Sequence, residues 1–148
     1  MDTAVKPQGC TNLKLRQFMR RMNQHYDLEM AQVGLKTTQF SLLSCVDKLG
    51  PLRPGDLAAG LKMDASTLTR NLQPLLAAGW LLQAAGADAR SRVITLTPAG
   101  RDKQAEALAH WKAAQLNVNA TLGAERVTAL HTLLDDCMAL LGTETHPS

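Results

Sequence analysis

The apolar positions of the chain fall into successive helical stripes, interrupted once by a change of period. Leu15, Phe18, Met19, Met22 and Tyr26 recur at steps of three and four, which predicts a helix from Thr11 to about Gln32, stopped at Gly34. Thr37 or Thr38 is placed to cap the next helix, whose buried face is Phe40, Leu43 and Val46 and whose end is Gly50-Pro51. Arg53-Pro54-Gly55-Asp56 opens a short helix over Leu57 to Leu61. Asp64 caps another, with the stripe Leu68, Leu72, Leu75 and Leu76, and Gly79 ends it. The period then shortens. Trp80 to Gln83 reads as a strand, 86–91 as a turn-rich tip, and Val93 to Thr97, β-branched and alternating, as the returning strand. Thr97 and Pro98 start a long helix, Ala99 to Leu122, which Gly123 breaks. A last helix carries Val127, Leu130, Leu133, Leu134, Cys137 and Leu141 as an apolar seam.

Helix, helix, short helix, helix, hairpin is the order of a winged helix-turn-helix. The expected fold class is therefore mainly α with a small β-hairpin wing (α+β), flanked by N- and C-terminal helices as a dimerisation region, for which the apolar seam of the last helix, too large to leave exposed, supplies a reason. The expected organisation is one domain over 11–142. In it, 37–100 form a DNA-binding lobe, 11–33 and 101–142 the dimerisation helices, and 1–10 and 143–148 flexible tails.

The helix after Asp64 carries the chemistry. With Leu68 at 0° and about 100° per residue, its apolar stripe spans about −20° to 80°, and Ser66, Arg70 and Gln73 fall near 140–200°. Thr67 and Thr69 flank them. This face has hydroxyls, an amide and a guanidinium but no carboxylate, a set suited to base edges and phosphates in a major groove. The alternative is a plain solvated face, although such faces normally mix Glu with Lys. At the hairpin tip Arg90 and Arg92 stand two apart, so on an extended chain they point the same way, towards a minor groove or phosphate. Asp88 beside them is expected to hold an arginine in position. The alternative for the tip is an ordinary polar turn.

Charge sharpens this picture. The 148 residues carry a net +3, but residues 1–103 hold 14 Lys+Arg against 8 Asp+Glu, whereas 104–148 hold 2 against 5. The basic surplus thus lies with the predicted DNA-binding part, and the acidic remainder should sit away from DNA. The aromatic residues are only Phe18, Tyr26, Phe40, Trp80 and Trp111, too few for a stacking platform on single-stranded nucleic acid. No apolar run approaches the ~20 residues of a membrane helix. Met1 to Gln8 lacks an apolar signal core, so the expected location is the cytoplasm, with no membrane partner.

The stretches Asp64-Ala-Ser-Thr-Leu-Thr-Arg70, Leu75-Leu-Ala-Ala-Gly79-Trp80, Asp88-Ala-Arg90-Ser-Arg92 and Leu96-Thr-Pro-Ala-Gly100, in that order, resemble the MarR family of bacterial transcription regulators. The resemblance extends over about residues 11–142. It implies a homodimer built on the first and last helices, bound to pseudo-palindromic double-stranded operator DNA. Ser66, Thr67, Thr69 and Arg70 would read the major groove, and Asp88, Arg90 and Arg92 the minor groove. Pro74 departs from an ideal recognition helix: it has no N–H and clashes with the carbonyl of Arg70, so a kink is expected, which weakens the case for Gln73.

The resemblance also implies release from DNA by a small aromatic or phenolic acid held between the dimer helices and the lobe. Arg21, His25, Tyr26, Gln39, Phe40 and His110 are the candidates, each with an ordinary surface, core or capping role as its alternative. Cys10, beside Lys6, Lys14 and Arg16 at a helix start, makes a redox-sensing repressor the second reading. Cys45 and Cys137 lie on apolar stripes and are expected in the core. His25, His110, His131 and His146 have no metal-ligand spacing, so neither metal nor cofactor is expected. No nucleophile–base motif, phosphate loop or HExxH marks an enzyme. A winged-helix protein-interaction adaptor without a DNA role is the remaining alternative.

Overall fold

The computed structural model describes residues 8–88 and 91–142. It contains α1 (Thr11–Ala31), α2 (Thr37–Leu49), α3 (Pro54–Leu61), α4 (Ala65–Ala77), β1 (Leu81–Ala85), β2 (Arg92–Leu96), α5 (Pro98–Leu122) and α6 (Ala124–Leu141). The fold is a winged helix-turn-helix flanked by terminal helices.

The centre of the lobe is α2, which packs against α1, α3, α4, α5 and β2. Its Leu42, Leu43 and Val46 meet Leu57 of α3, Leu75 of α4, Leu81 of β1 and Ile94 of β2 in one buried cluster. Burying an aliphatic side chain of this size contributes about 1.5–3 kcal/mol, so this cluster holds the short α3 and the hairpin, neither of which would be stable alone. The hairpin is antiparallel, with Leu81 opposite Leu96 and Ala85 opposite Arg92. Leu52, between α2 and α3, adds a bridge to Ile94 through paired amide bonds of 3.1 and 2.7 Å. The wing is thereby stitched to the start of the helix-turn-helix.

Several local expectations need correction. Lys36, not a threonine, is the N-cap of α2, and its amide is satisfied by the Gln39 side chain at 2.9 Å. Thr37 instead gives its hydroxyl and amide to Asp27 of α1, at 2.6 and 3.1 Å. The short α3 starts at Pro54, which fits the first helical position. The β1 strand starts one residue later than expected because Trp80 closes the end of α4, donating its amide to Leu75. Pro74 lies inside α4, which continues to Ala77, and the Pro74 carbonyl accepts the Ala78 amide at 3.0 Å.

Alongside the lobe α1 packs on α5, with Met30, Ala107, Ala114 and Val118 buried. By contrast no residue of α6 is fully buried within the chain, and only Val127 and Leu130 near its start are half-buried. Leu133, Met138, Leu140 and Leu141 are all exposed, as are Leu15 and Met19 of α1. Cys137 is exposed, so it is not the core thiol its apolar stripe suggested, whereas Cys45 is half-buried and packs against the core. The reason for Cys137 is that its helix leaves the body of the chain instead of folding back on it.

Candidate nucleic-acid interface

Helix α4 is anchored at its start by one carboxylate. Asp64 accepts the Thr67 amide at 2.7 Å and the Ser66 hydroxyl at 2.8 Å. Those two donors hold the Asp64 carboxyl below the usual carboxylate range. Leu68, Leu72 and Leu75 turn inward. Ser66, Thr69, Arg70 and Gln73 are exposed together on the opposite face, while Thr67 is half-buried. Thr69 donates its hydroxyl to the Ala65 carbonyl at 2.9 Å, which leaves its oxygen lone pairs facing outward.

Sequence reasoning missed Asn71. Its amide nitrogen donates to the Thr67 carbonyl at 2.9 Å, and its oxygen accepts the Thr38 hydroxyl from α2 at 3.3 Å. Asn71 therefore fixes the roll of α4 on α2, and with it the direction in which Ser66 and Arg70 face. Nothing in the spacing of Thr38 and Asn71 announces the pair.

The wing meets α4 along a cleft of about 190 Å³, to which Thr69 and Gln73 of α4 and Gln83 of β1 contribute. Asp88 is exposed at the hairpin tip, where its carbonyl accepts the Ser91 amide and hydroxyl, both at 3.0 Å. Arg92 is exposed at the start of β2. Arg90 lies outside the described residues. At the base of the wing, Gly100 packs so tightly on Trp80 that a Cβ would overlap the Trp80 carbonyl oxygen. The Thr97 hydroxyl donates to the Gly79 carbonyl at 2.6 Å and accepts the Gly100 amide at 3.0 Å. This joint sets the angle between hairpin and α5.

The candidate effector residues do not converge on one site. Arg21 and His25 line an apolar cavity of about 330 Å³ between α1 and the end of α5, with Phe18, Met22 and Leu122. The Tyr26 and Phe40 rings each lie 6.2 Å from the Trp111 ring. Burial pushes the Tyr26 phenol up. Gln39 is occupied in capping α2. His110 sits 3.0 Å from the Glu29 carboxylate, tying α5 to α1. A separate open groove of about 430 Å³ between α2 and α5 is lined by Phe40, Trp111, Ser41, Ser44, Cys45 and Lys48. Burial pushes the Cys45 thiol up, with Lys48 pulling the other way. Cys10 is exposed at the N-cap of α1. Among the described residues no cluster of His, Cys, Asp and Glu is arranged to hold a metal, and no helix is long and apolar enough to cross a membrane.

The lobe matches known proteins. The MarR family model matches residues 35–86, from the start of α2 into the wing. The uncharacterized HTH-type transcriptional regulator YwoH of Bacillus subtilis is 30% identical over 78 residues, which are 53% of this chain. That match spans 57% of the length of YwoH. Among solved structures, the M. tuberculosis transcriptional regulator MosR in complex with DNA superposes with a TM-score of 0.70 at 31% identity, covering 87% of this chain and 98% of that one. A mutant MarR from E. coli, complexed with operator DNA, shares the fold at a TM-score of 0.78 and 19% identity, over 86% of this chain and 92% of its own. The family match over the lobe, joined to 31% identity with MosR over 98% of that chain, makes the chain a member of the MarR family.

Proposed function

We propose that this protein is a homodimeric, sequence-specific, double-stranded-DNA-binding transcriptional repressor. The observation that carries the reading is the outer face of α4: a capped, firmly packed helix presenting Ser66, Thr69, Arg70 and Gln73 with no acidic residue within it. Hydroxyls and an amide read base edges, and a guanidinium takes guanine or phosphate. Arg92 on the wing adds a phosphate or minor-groove contact, and Arg90 and Asp88 are proposed to act with it. The binding of related MosR to DNA supports the same use of the fold. Two copies on a two-fold axis would place their recognition helices about 34–36 Å apart, one turn of DNA.

The test is a gel shift on the DNA upstream of the protein's own gene, with a random-sequence duplex as control. A preferential shift supports the reading. Equal affinity for both duplexes, or none for either, refutes it, and the latter result favours the adaptor alternative. Log affinity should fall steeply with log salt.

Release by a small aromatic acid is proposed at the groove between α2 and α5. Trp111 and Phe40 offer an apolar wall, Lys48 a cation, and Ser41 and Ser44 hydroxyls for a carboxylate or phenol. A ligand there touches both the lobe and the arm, so it favours whichever lobe orientation fits it better. Titration with benzoate and 4-hydroxybenzoate in a Trp80→Phe background reads Trp111 emission directly. A response lost on Lys48→Met supports the site, and an unaltered response moves it elsewhere. The exposure of Cys10 keeps oxidation as a second route, and a Cys10→Ser protein that still leaves DNA on peroxide treatment eliminates it.

A further inference from the structure

We infer that Lys62, in the turn between α3 and α4, holds a backbone phosphate of bound DNA and so fixes how α4 enters the groove. The inference rests on the DNA-binding reading above and adds a positioning residue to it.

Among the described residues, Lys62 is the one residue other than glycine at positive φ, with φ 53° and ψ 48°. In this left-handed conformation a Cβ is crowded against the following carbonyl, and glycine is the residue that adopts it freely. The rest of the chain follows that preference. Each of the other helices is followed within three residues by a glycine at positive φ: Gly34, Gly50, Gly79, Gly123 and Gly142. Of the described helices, α3 alone ends on a long cationic side chain.

The turn cannot relax around that residue. The Lys62 amide donates to the Ala59 carbonyl at 3.2 Å and the Met63 amide to the Ala58 carbonyl at 2.9 Å, the paired bonds of a Schellman ending. Met63 packs against the core, and the Asn71 amide nitrogen donates to its sulfur at 3.9 Å. Asp64 follows at once as the cap of α4. The backbone at position 62 therefore asks for glycine. A lysine kept there against that preference points to work done by its ammonium group.

Its place in the fold says what the work is. Lys62 is exposed, just before the start of α4. The first residues of a helix in this position go to the base edges, so the turn before them comes to the rim of the groove, where the phosphates lie. The same end of α4 carries the exposed Asp64 carboxylate, which the cap requires and which repels phosphate. A flexible four-carbon stem with a cationic tip, two residues earlier, supplies the opposite charge there.

Lys62→Gly is the discriminating variant, because stability and DNA affinity should move in opposite directions. Thermal unfolding by circular dichroism should give a Tm raised by about 1–4 °C, since the strained residue is relieved. Fluorescence anisotropy uses the duplex upstream of the protein's own gene and a random-sequence duplex. At about 0.1 M NaCl both dissociation constants should rise about tenfold with their ratio kept, because a phosphate contact carries no sequence information. The fall of log affinity with log salt should be shallower by about one for each bound protomer. Lys62→Arg keeps the charge and should bind within about threefold of the unaltered protein. Unchanged affinity, an unchanged salt slope, or a loss on one duplex alone overturns the inference. So does a Lys62→Gly protein that melts below the unaltered one, which would show that the lysine serves the fold. If the unaltered protein binds neither duplex, the DNA-binding reading itself falls, and this inference with it.

Discussion

Replacing Gly100 with alanine should destabilise the joint between wing and α5. The new methyl would overlap the Trp80 carbonyl oxygen and stand 2.8 Å from Leu96 Cδ1. The Leu96 methyl can rotate away, but the Trp80 carbonyl cannot. It accepts the Thr97 amide at 3.1 Å, and the Trp80 amide is held by Leu75 at 3.0 Å. The start of α5 must therefore move. Overpacking of a tight site costs about 1–3 kcal/mol, with the upper end apt for an immobile backbone partner. Straining the Thr97 cap on the Gly100 amide adds about 1 kcal/mol, and the better helix propensity of alanine returns about 1 kcal/mol. The net loss is about 2–3 kcal/mol, or a fall in Tm of about 5–10 °C for a chain of this size. Thermal unfolding by circular dichroism at fixed protein concentration measures it, with Gly55→Ala as control. Gly55 also lies in the first turn of a helix, but a Cβ there meets nothing within 4 Å. A Gly100→Ala protein that melts with the Gly55→Ala control would refute the reasoning.

Other consequences can be measured separately. Asp64 has its native acidity strengthened by the Thr67 amide and then the Ser66 hydroxyl. Its contribution to stability is therefore complete above the ordinary aspartate pKa of about 3.9 and is lost as pH falls through the lowered native value. Urea unfolding of Asp64→Asn should show a shallower loss of stability on the acid side than the unaltered protein; an identical acid slope would exclude that role. Asn71→Ala removes the Thr67 and Thr38 bonds and should lower urea stability by about 1–2 kcal/mol, with a loss of DNA affinity that Thr38→Val partly reproduces. DNA affinity equal to that of the unaltered protein would show that Asn71 does not aim α4. Leu75→Ala, at a position with no exposed surface, should lower stability by about 2–5 kcal/mol in the same assay; a loss below 1 kcal/mol would place it outside the core.

Periodicity revealed the elements because each helix of the lobe buries one clean stripe. The alternation in 93–97 marked the wing because Ile94 turns inward while its neighbours are more exposed. The stretch Leu96-Thr-Pro-Ala-Gly100 was legible as a helix start, but not the reason for its glycine. That reason is a close approach to Trp80, twenty residues earlier in the chain. Asn71 stayed hidden for the same cause: its partner Thr38 lies on another helix. Pro74 was legible as a missing amide, and near the end of the helix it removes one bond without dissolving a turn that Leu72 and Leu75 hold by burial. The effector candidates scattered because residue type identifies chemistry but not convergence. The groove that gathers Lys48, Ser41 and Ser44 depends on Trp111, which lies on another helix far along the chain.

The central claim is that two copies of α4 read duplex DNA across a two-fold axis. Selection of bound duplexes from a random library, followed by sequencing, tests it most directly. The account predicts an inverted repeat with half-site centres about 10–10.5 base pairs apart, and loss of that enrichment in Arg70→Ala. Recovery of no preferred sequence, or of a single motif without its inverted copy, would contradict it.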